Sequence, residues 1–295
     1  MNNIIVNKIM PVAMLCVSMN ALASNVDIGS REYKILLNTS SFTGDQSSRE
    51  NKVDEYWDAL KELIEDNSIE RNTSGSLSLN KSRTVSFYDV KGSCDLSHAG
   101  YSFRERIEEG DREVTLKFRS ADQFIAGGKD LTGTKSGAKT KFEEDISAPF
   151  VSIYSFSTKQ EIEDDKNLNK MDDPIGLYSG LEDEDFDEDL PIEKVGNLTV
   201  NEYVYEDATV DLGSLDAEFS LTLWYDESQS TTKPIVAEIS FKYEDDNEDY
   251  SNKVLTRAKQ LFTDMQEDSA VTSFNSEDSL SKTATVYQYD SSFCN

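Results

Sequence analysis

Cations at alternating positions crowd one short stretch of an otherwise acidic chain. The segment beginning at His98 reads HAGYSFRERIEEGDREVTLKFRSAD, and in it Arg104, Arg106, Lys117 and Arg119 fall at alternating positions. Side chains two residues apart share one face of a β-strand. Ser102, Arg104, Arg106 and Glu108 therefore face one way, with Tyr101, Phe103 and Ile107 opposite. Thr115, Lys117 and Arg119 likewise oppose Val114, Leu116 and Phe118, and the Glu-Gly-Asp at 109–111 is a hairpin signal. Paired antiparallel, the two strands would set four cationic groups on one wall, a surface suited to an anion. A hairpin whose polar face is merely wet is the plainer alternative.

The same alternation recurs with carboxylates added. Ser30, Glu32 and Lys34 share a face opposite Tyr33 and Ile35; Lys141, Glu143 and Asp145 share another, with Lys139 just before them. Glu238, Ser240 and Lys242 oppose Ile239, Phe241 and Tyr243. Turned outward, these faces would make an ordinary charged exterior. Turned inward, they would line a lumen whose mixed charges are costly unless a ligand and ions neutralise them. In such a lumen the cations would grip several phosphates, and the carboxylates would hold Mg2+ or Mn2+ bridging to phosphate oxygens.

These residues need elements to position them. Helical spacing of Val53, Tyr56, Trp57, Leu60 and Ile64 predicts a helix over 49–66. Val254, Leu255, Ala258, Leu261, Phe262 and Met265 predict a second over 252–266. Strands are expected at 31–37, 83–90, 101–108, 113–120, 138–146, 150–157, 197–205, 216–226, 235–244 and 283–289. So many strands with short gaps argue for a closed or strongly curved antiparallel sheet. Residues 159–194 break that rhythm with Asp, Glu, Asn and Lys, and read as an irregular, solvated insertion within one domain spanning 24–295.

The N-terminus carries Lys8, an apolar run from Ile9 to Val17, and Ala21, Leu22 and Ala23 before Ser24. That is the pattern of a secretory signal over 1–23, implying an exported protein, periplasmic or secreted. Its apolar run is too short to span a bilayer. Cys16 would leave with the signal, and the remaining pair, Cys94 and Cys294, is expected to form a disulfide in an oxidising compartment. A formal charge of −28 disfavours nucleic-acid polymers and anionic membrane surfaces as partners. His98 is the sole histidine, which excludes a His-based triad and a multi-histidine metal site. The glycine-rich segment at 128–136 misses the phosphate-loop pattern because Thr134 intrudes before Lys135.

The order of Glu32-Tyr33-Lys34, Phe87-Tyr88-Asp89, the 100–106 stretch with Arg104 and Arg106, the 114–119 stretch with Lys117, the Lys141 to Asp145 cluster and the 237–240 stretch resembles the CYTH family of triphosphate tunnel metalloenzymes. The likeness spans about residues 28–265, with the acidic insertion outside it. It implies an α+β fold: an eight-stranded antiparallel β-barrel, the tunnel, with flanking helices. It also implies a small phosphorylated ligand such as triphosphate, held by Lys34, Arg104, Arg106, Lys117, Arg119 and Lys141. A divalent metal, Mg2+ or Mn2+, would sit on Glu32, Glu143, Asp145 and Glu238, with Glu32 and Lys34 as candidate catalytic groups. Two positions depart from the family pattern, Ser30 and Ser240 standing where it carries glutamates. Three readings follow: a metal-dependent triphosphatase, a binding module that has lost the metal site, and a structural protein with merely solvated charged faces.

Overall fold

The computed structural model describes residues 27–66, 71–229, 232–245, 250–277 and 280–295. The expected signal, 1–23, lies outside the described residues. The strands are β1 (Ser30–Leu36), β2 (Thr73–Ser74), β3 (Ser78–Val90), β4 (Tyr101–Glu108), β5 (Asp111–Ser120), β6 (Lys139–Ser147), β7 (Val151–Glu161), β8 (Ile192–Lys194), β9 (Val200–Asp211), β10 (Asp216–Asp226) and β11 (Val236–Glu244). The helices are α1 (Gln46–Asp66), α2 (Asp95–His98), α3 (Gln123–Gly127), α4 (Asp172–Leu177), α5 (Asn252–Glu267), α6 (Ser269–Thr272) and α7 (Lys282–Tyr289).

Nine of the strands close on themselves, in the order β3, β4, β5, β7, β6, β1, β11, β10, β9 and back to β3. β2 and β8 are short additions paired to β9 and β3. The expectation of eight antiparallel strands is therefore corrected to nine strands of mixed direction, because β1 runs parallel to β6. β1 leads into α1 rather than into a hairpin, so no tight turn dictates its direction, and it seats between β6 and β11. The circuit closes through β3, which is long enough to pair with both β4 and β9. The anticipated hairpin between β4 and β5 is present: Glu108 pairs with Asp111, and both loop residues, Glu109 and Gly110, have positive φ, as a type I′ turn requires.

Which face looks inward is settled by what covers the apolar side. Tyr33, Ile35, Phe219, Leu221, Ile239 and Phe241 pack outward against Trp57 and Leu60 of α1 and Leu261 and Phe262 of α5. Asp45 starts α1 by accepting the Ser48 amide at 2.9 Å, and Ser251 starts α5 by accepting the Val254 amide. On the other flank Phe103, Leu116, Phe118, Phe142 and Phe156 pack outward under the 159–194 segment. Fully buried aliphatic and aromatic side chains of this kind stabilise the fold by roughly 1.5–3 kcal/mol each. The apolar faces thus look out into a shell of helices and loops, and the charged faces look into the barrel.

Two sequence expectations change. The 159–194 segment is ordered and packed rather than solvated: Leu168 and Met171 before α4, Ile175 and Leu177 within it, and Tyr178 and Leu181 after it are buried. Most of its acids face water, Asp173 being buried against Lys166, while a smaller set of apolar residues at irregular spacing seals the barrel wall, so composition masked the packing. Residues 283–289, expected as a strand, form α7, which Ser281 caps by accepting the Ala284 amide. The run is too short for its hydrophobic period to separate helix from strand.

Candidate functional site

Inside the barrel the charges fall into two groups. The first lies where β1, β5, β6 and β7 meet. The parallel register puts Ser30 beside Glu143 and Glu32 beside Asp145, while β5 and β7 bring Lys117 and Ser155 to the same level. Ser30 Oγ donates to Glu143 at 3.0 Å, and Lys34 Nζ lies 2.8 Å from Asp145 and 2.9 Å from Glu32. Lys117 Nζ sits 3.5 Å from Glu143 and 3.9 Å from Asp145, and Ser155 Oγ donates to Asp145 at 2.9 Å. Lys141 bridges Glu143 at 3.1 Å and Glu244 at 2.8 Å, and Arg119 reaches Asp145 at 4.0 Å.

The titration behaviour follows from this crowding. Burial alone would raise Glu143, but Lys117 and Lys141 outweigh it and hold the carboxyl at about 2. Asp145 is held down in the same way, against burial, by Lys34 and Lys117. Lys34 is pushed well above its usual range, since Asp145 and Glu32 overcome its desolvation. Lys117 moves the opposite way: desolvation, with Arg119 and Lys34 nearby, lowers it despite two carboxylates in reach. A lysine in that position gains from any further negative charge.

The second group is a cluster of guanidinium groups on β3 and β4. Arg83 and Arg106 converge on one carboxylate, Glu202 of β9, with Arg106 Nη2 at 3.4 Å. Trp224 Nε1 donates to Glu202 at 2.9 Å and fixes it. Arg104 reaches only Thr115 Oγ1, at 3.4 Å, and has no carboxylate within 4.0 Å among the described residues. The Nε atoms of Arg104 and Arg106 have no hydrogen-bond partner among the described residues. Burial and the neighbouring Arg106 hold Arg104 well below the usual guanidinium range, although Glu202 opposes them. Arg83 also reaches Glu108 at 3.4 Å, so the local excess of positive charge rests on Arg104 and Arg106, which an incoming anion would satisfy.

Two cavities open from the lumen. One, of about 470 Å3, is lined by Glu32, Lys81, Glu206, Glu218, Ser240 and Lys242 among others. The second, of about 350 Å3, is lined by Lys34, Arg119, Asp145, Glu238 and Lys282 among others.

Every residue singled out in the sequence as a phosphate or metal ligand sits on a lumen-facing position, but not in one cluster. Lys34, Lys117, Arg119, Lys141, Glu32, Glu143 and Asp145 come together; Arg104 and Arg106 belong with Glu202. Glu238 takes Lys282 as its counter-ion at 2.7 Å. The proposed metal donors are thus divided among ammonium partners, and no group of three or more His, Cys, Asp or Glu suited to a metal ion occurs among the described residues. The donor set does not fit a divalent cation as it is arranged. Sequence reasoning missed Arg83, Glu202, Trp224 and Lys282. Arg83 obeys the same alternation, two residues after Lys81, and applying that rule to β3 would have found it.

The expected disulfide between Cys94 and Cys294 is formed. No described helix is long and apolar enough to cross a membrane.

No family model matches the chain, and no curated protein matches it. Solved structures do. HpAC1 of Hippeastrum, an adenylyl cyclase candidate described with a dominant triphosphatase activity, is 16% identical over 88% of this chain and 95% of its own, with a TM-score of 0.43. A candidate adenylate cyclase of Bacillus halodurans is 11% identical over 85% of this chain and 96% of its own, TM-score 0.37. One from Vibrio parahaemolyticus is 11% identical over 88% and 97%, TM-score 0.35. Scores and identities of this size leave the function to the residues themselves.

Proposed function

We propose that this is an exported protein whose barrel binds a small polyphosphorylated anion, triphosphate being the simplest example. The observation that carries the reading is Arg104, a guanidinium drawn inside the barrel with no carboxylate within 4.0 Å among the described residues. A part-buried cation without a counter-ion is costly, and the fold gathers Arg104 beside Arg106 and Arg83, which share Glu202, Arg83 alone also reaching Glu108. A phosphate chain would supply the missing charge. Arg104 and Arg106 would take its oxygens in the forked geometry that guanidinium favours. Lys117, held below its usual range, would be restored by the same anion, while Ser30 and Ser155 keep the neighbouring carboxylates in place.

Hydrolysis is the second reading, favoured by one feature. Glu143 and Asp145 stand two residues apart on β6, both ionised and both aimed at the lumen beside Lys117. Carboxylates so placed could orient a water toward a bound phosphorus.

One experiment separates these readings. Tripolyphosphate is titrated calorimetrically into the protein in EDTA and then with Mg2+, phosphate release is assayed in parallel, and Arg104→Ala and Arg106→Ala are run alongside. Binding in EDTA that each alanine weakens at least tenfold, with no phosphate released, is the expected outcome. Phosphate release abolished by the same changes would favour hydrolysis. Absence of binding and of release would leave the charged lumen as a purely structural feature.

A further inference from the structure

The C-terminal segment closes one end of the barrel. Val286 and Phe293 are buried against Phe87, Trp224 and Val236, whose side chains fill the lumen at that end. Further ties hold the segment there. Tyr287 Oη donates to the buried Asp89 at 2.8 Å, and Tyr289 Oη donates to Asp226. Gly92 N donates to Phe293 O at 2.7 Å, and Cys294 is bonded to Cys94. The disulfide therefore joins the last turn of the chain to the loop after β3, the strand that carries Arg83.

The stopper is not inert toward the lumen. Ser281, Lys282 and Thr283, at its leading end, line the 350 Å3 cavity together with Lys34, Arg119, Asp145 and Glu238. Lys282 lies 2.7 Å from Glu238, whose side chain is only 5% exposed, and no other cation lies within 4.0 Å of that carboxylate among the described residues. Around this cavity Lys34 is bound between two carboxylates and Arg119 touches one at 4.0 Å. Lys282 differs from them in arriving on an element that is tied in place at its far end rather than built into the sheet.

We propose that α7 is a latched wall of the ligand cavity, that Lys282 is a phosphate contact exchanged between Glu238 and the ligand, and that the Cys94–Cys294 bond holds it in register. The proposal rests on the reading that the barrel binds a polyphosphorylated anion. The exchange works by competition. In the unliganded protein Glu238 holds Lys282; a phosphate in the cavity draws the ammonium away, and Glu238 keeps a share of the charge of Lys34 across the same cavity. Neutralising Glu238 therefore frees Lys282 for the ligand, whereas neutralising Lys282 removes a contact. The two changes act with opposite sign, which a purely structural ion pair would not show.

The test titrates tripolyphosphate by calorimetry into the unaltered protein, Lys282→Gln, Glu238→Gln and the double variant Cys94→Ser/Cys294→Ser. Amide hydrogen exchange over 282–289 is followed in each. Loss of one charge-assisted contact predicts about tenfold weaker binding for Lys282→Gln, and Glu238→Gln is expected to bind more tightly than the unaltered protein. The cysteine variant should exchange faster over 282–289, slow again when ligand is added, and bind more weakly. Unchanged affinity in all three variants of a protein that does bind overturns the role of α7 alone. Failure of the unaltered protein to bind overturns the phosphate reading itself, and the role of Lys282 with it.

Discussion

At the scale of single residues, Arg104 concentrates the tension in this protein. Its guanidinium is surrounded by Arg106, Arg83 and Arg119, and the nearby Glu202 carboxylate is already shared by Arg83 and Arg106. A folded-state preference against charge is a cost to stability, retained where binding needs it. Arg104→Met should therefore raise the melting temperature in the absence of ligand. For a chain of this size an increase of about 2–4 °C corresponds to about 1 kcal/mol, and the tripolyphosphate-induced shift should disappear at the same time. Differential scanning fluorimetry with and without ligand reads both effects; a lower melting temperature would mean that Arg104 is satisfied in the unliganded fold. The position of Arg104 was legible in the sequence, because alternation alone sets its face. Its isolation was not, since which carboxylate stands opposite depends on β9 being brought beside β3, a contact between residues 83 and 202.

At the scale of elements, strand faces were readable and their covers were not. The outward residues of β4 and β5 need a lid, and the acidic segment after β7 supplies one through residues scattered among its charges. Tyr178 is the clearest of these. It is completely buried, its ring meets Phe103 edge-on at 6.2 Å, and its hydroxyl donates to Val114 O at 3.0 Å. Gln160 Nε2 donates to Leu177 O at 2.6 Å just beside it, so the lid is pinned to β7 as well. Removing an aromatic side chain from such a site costs about 3–5 kcal/mol, whereas a change in a solvated loop stays within about 0.5 kcal/mol. Tyr178→Ala is accordingly expected to destabilise the whole barrel by the larger amount in urea unfolding. An effect of the smaller size would return the segment to the solvated reading. The period of α7 misled for the converse reason: eight residues under a serine cap have room for only two helical turns, too few to display a face.

At the scale of the whole molecule, the fold sorts charge by location. The chain carries a formal charge of −28, yet one set of its cations, including Lys34, Lys117, Arg83 and Arg106, is drawn inward to face carboxylates that they keep ionised. Acidification therefore acts twice. Exterior carboxylates that gain protons relieve the mutual repulsion of a strongly anionic surface, which favours the folded state. Lumen carboxylates act in the opposite sense. Glu143 has its folded value lowered from 4.5 to about 2, so its contribution is fully present above about 4.5 and is lost as pH falls toward about 2. Asp145 and Glu202, shifted in the same direction by Lys34 and by Arg106, add to that loss. The unfolded chain binds these protons first, and stability must fall through that window. The exterior term is common to the protein and to Glu143→Gln, whereas the lumen term is reduced in the variant, so the difference between them isolates the lumen. Urea unfolding from pH 7 to pH 3 should show the unaltered protein losing stability steeply below about pH 4.5. Glu143→Gln should start from a lower plateau and decline with a shallower slope over the same range. Parallel curves for the two would mean that Glu143 titrates in the folded barrel as it does in the open chain.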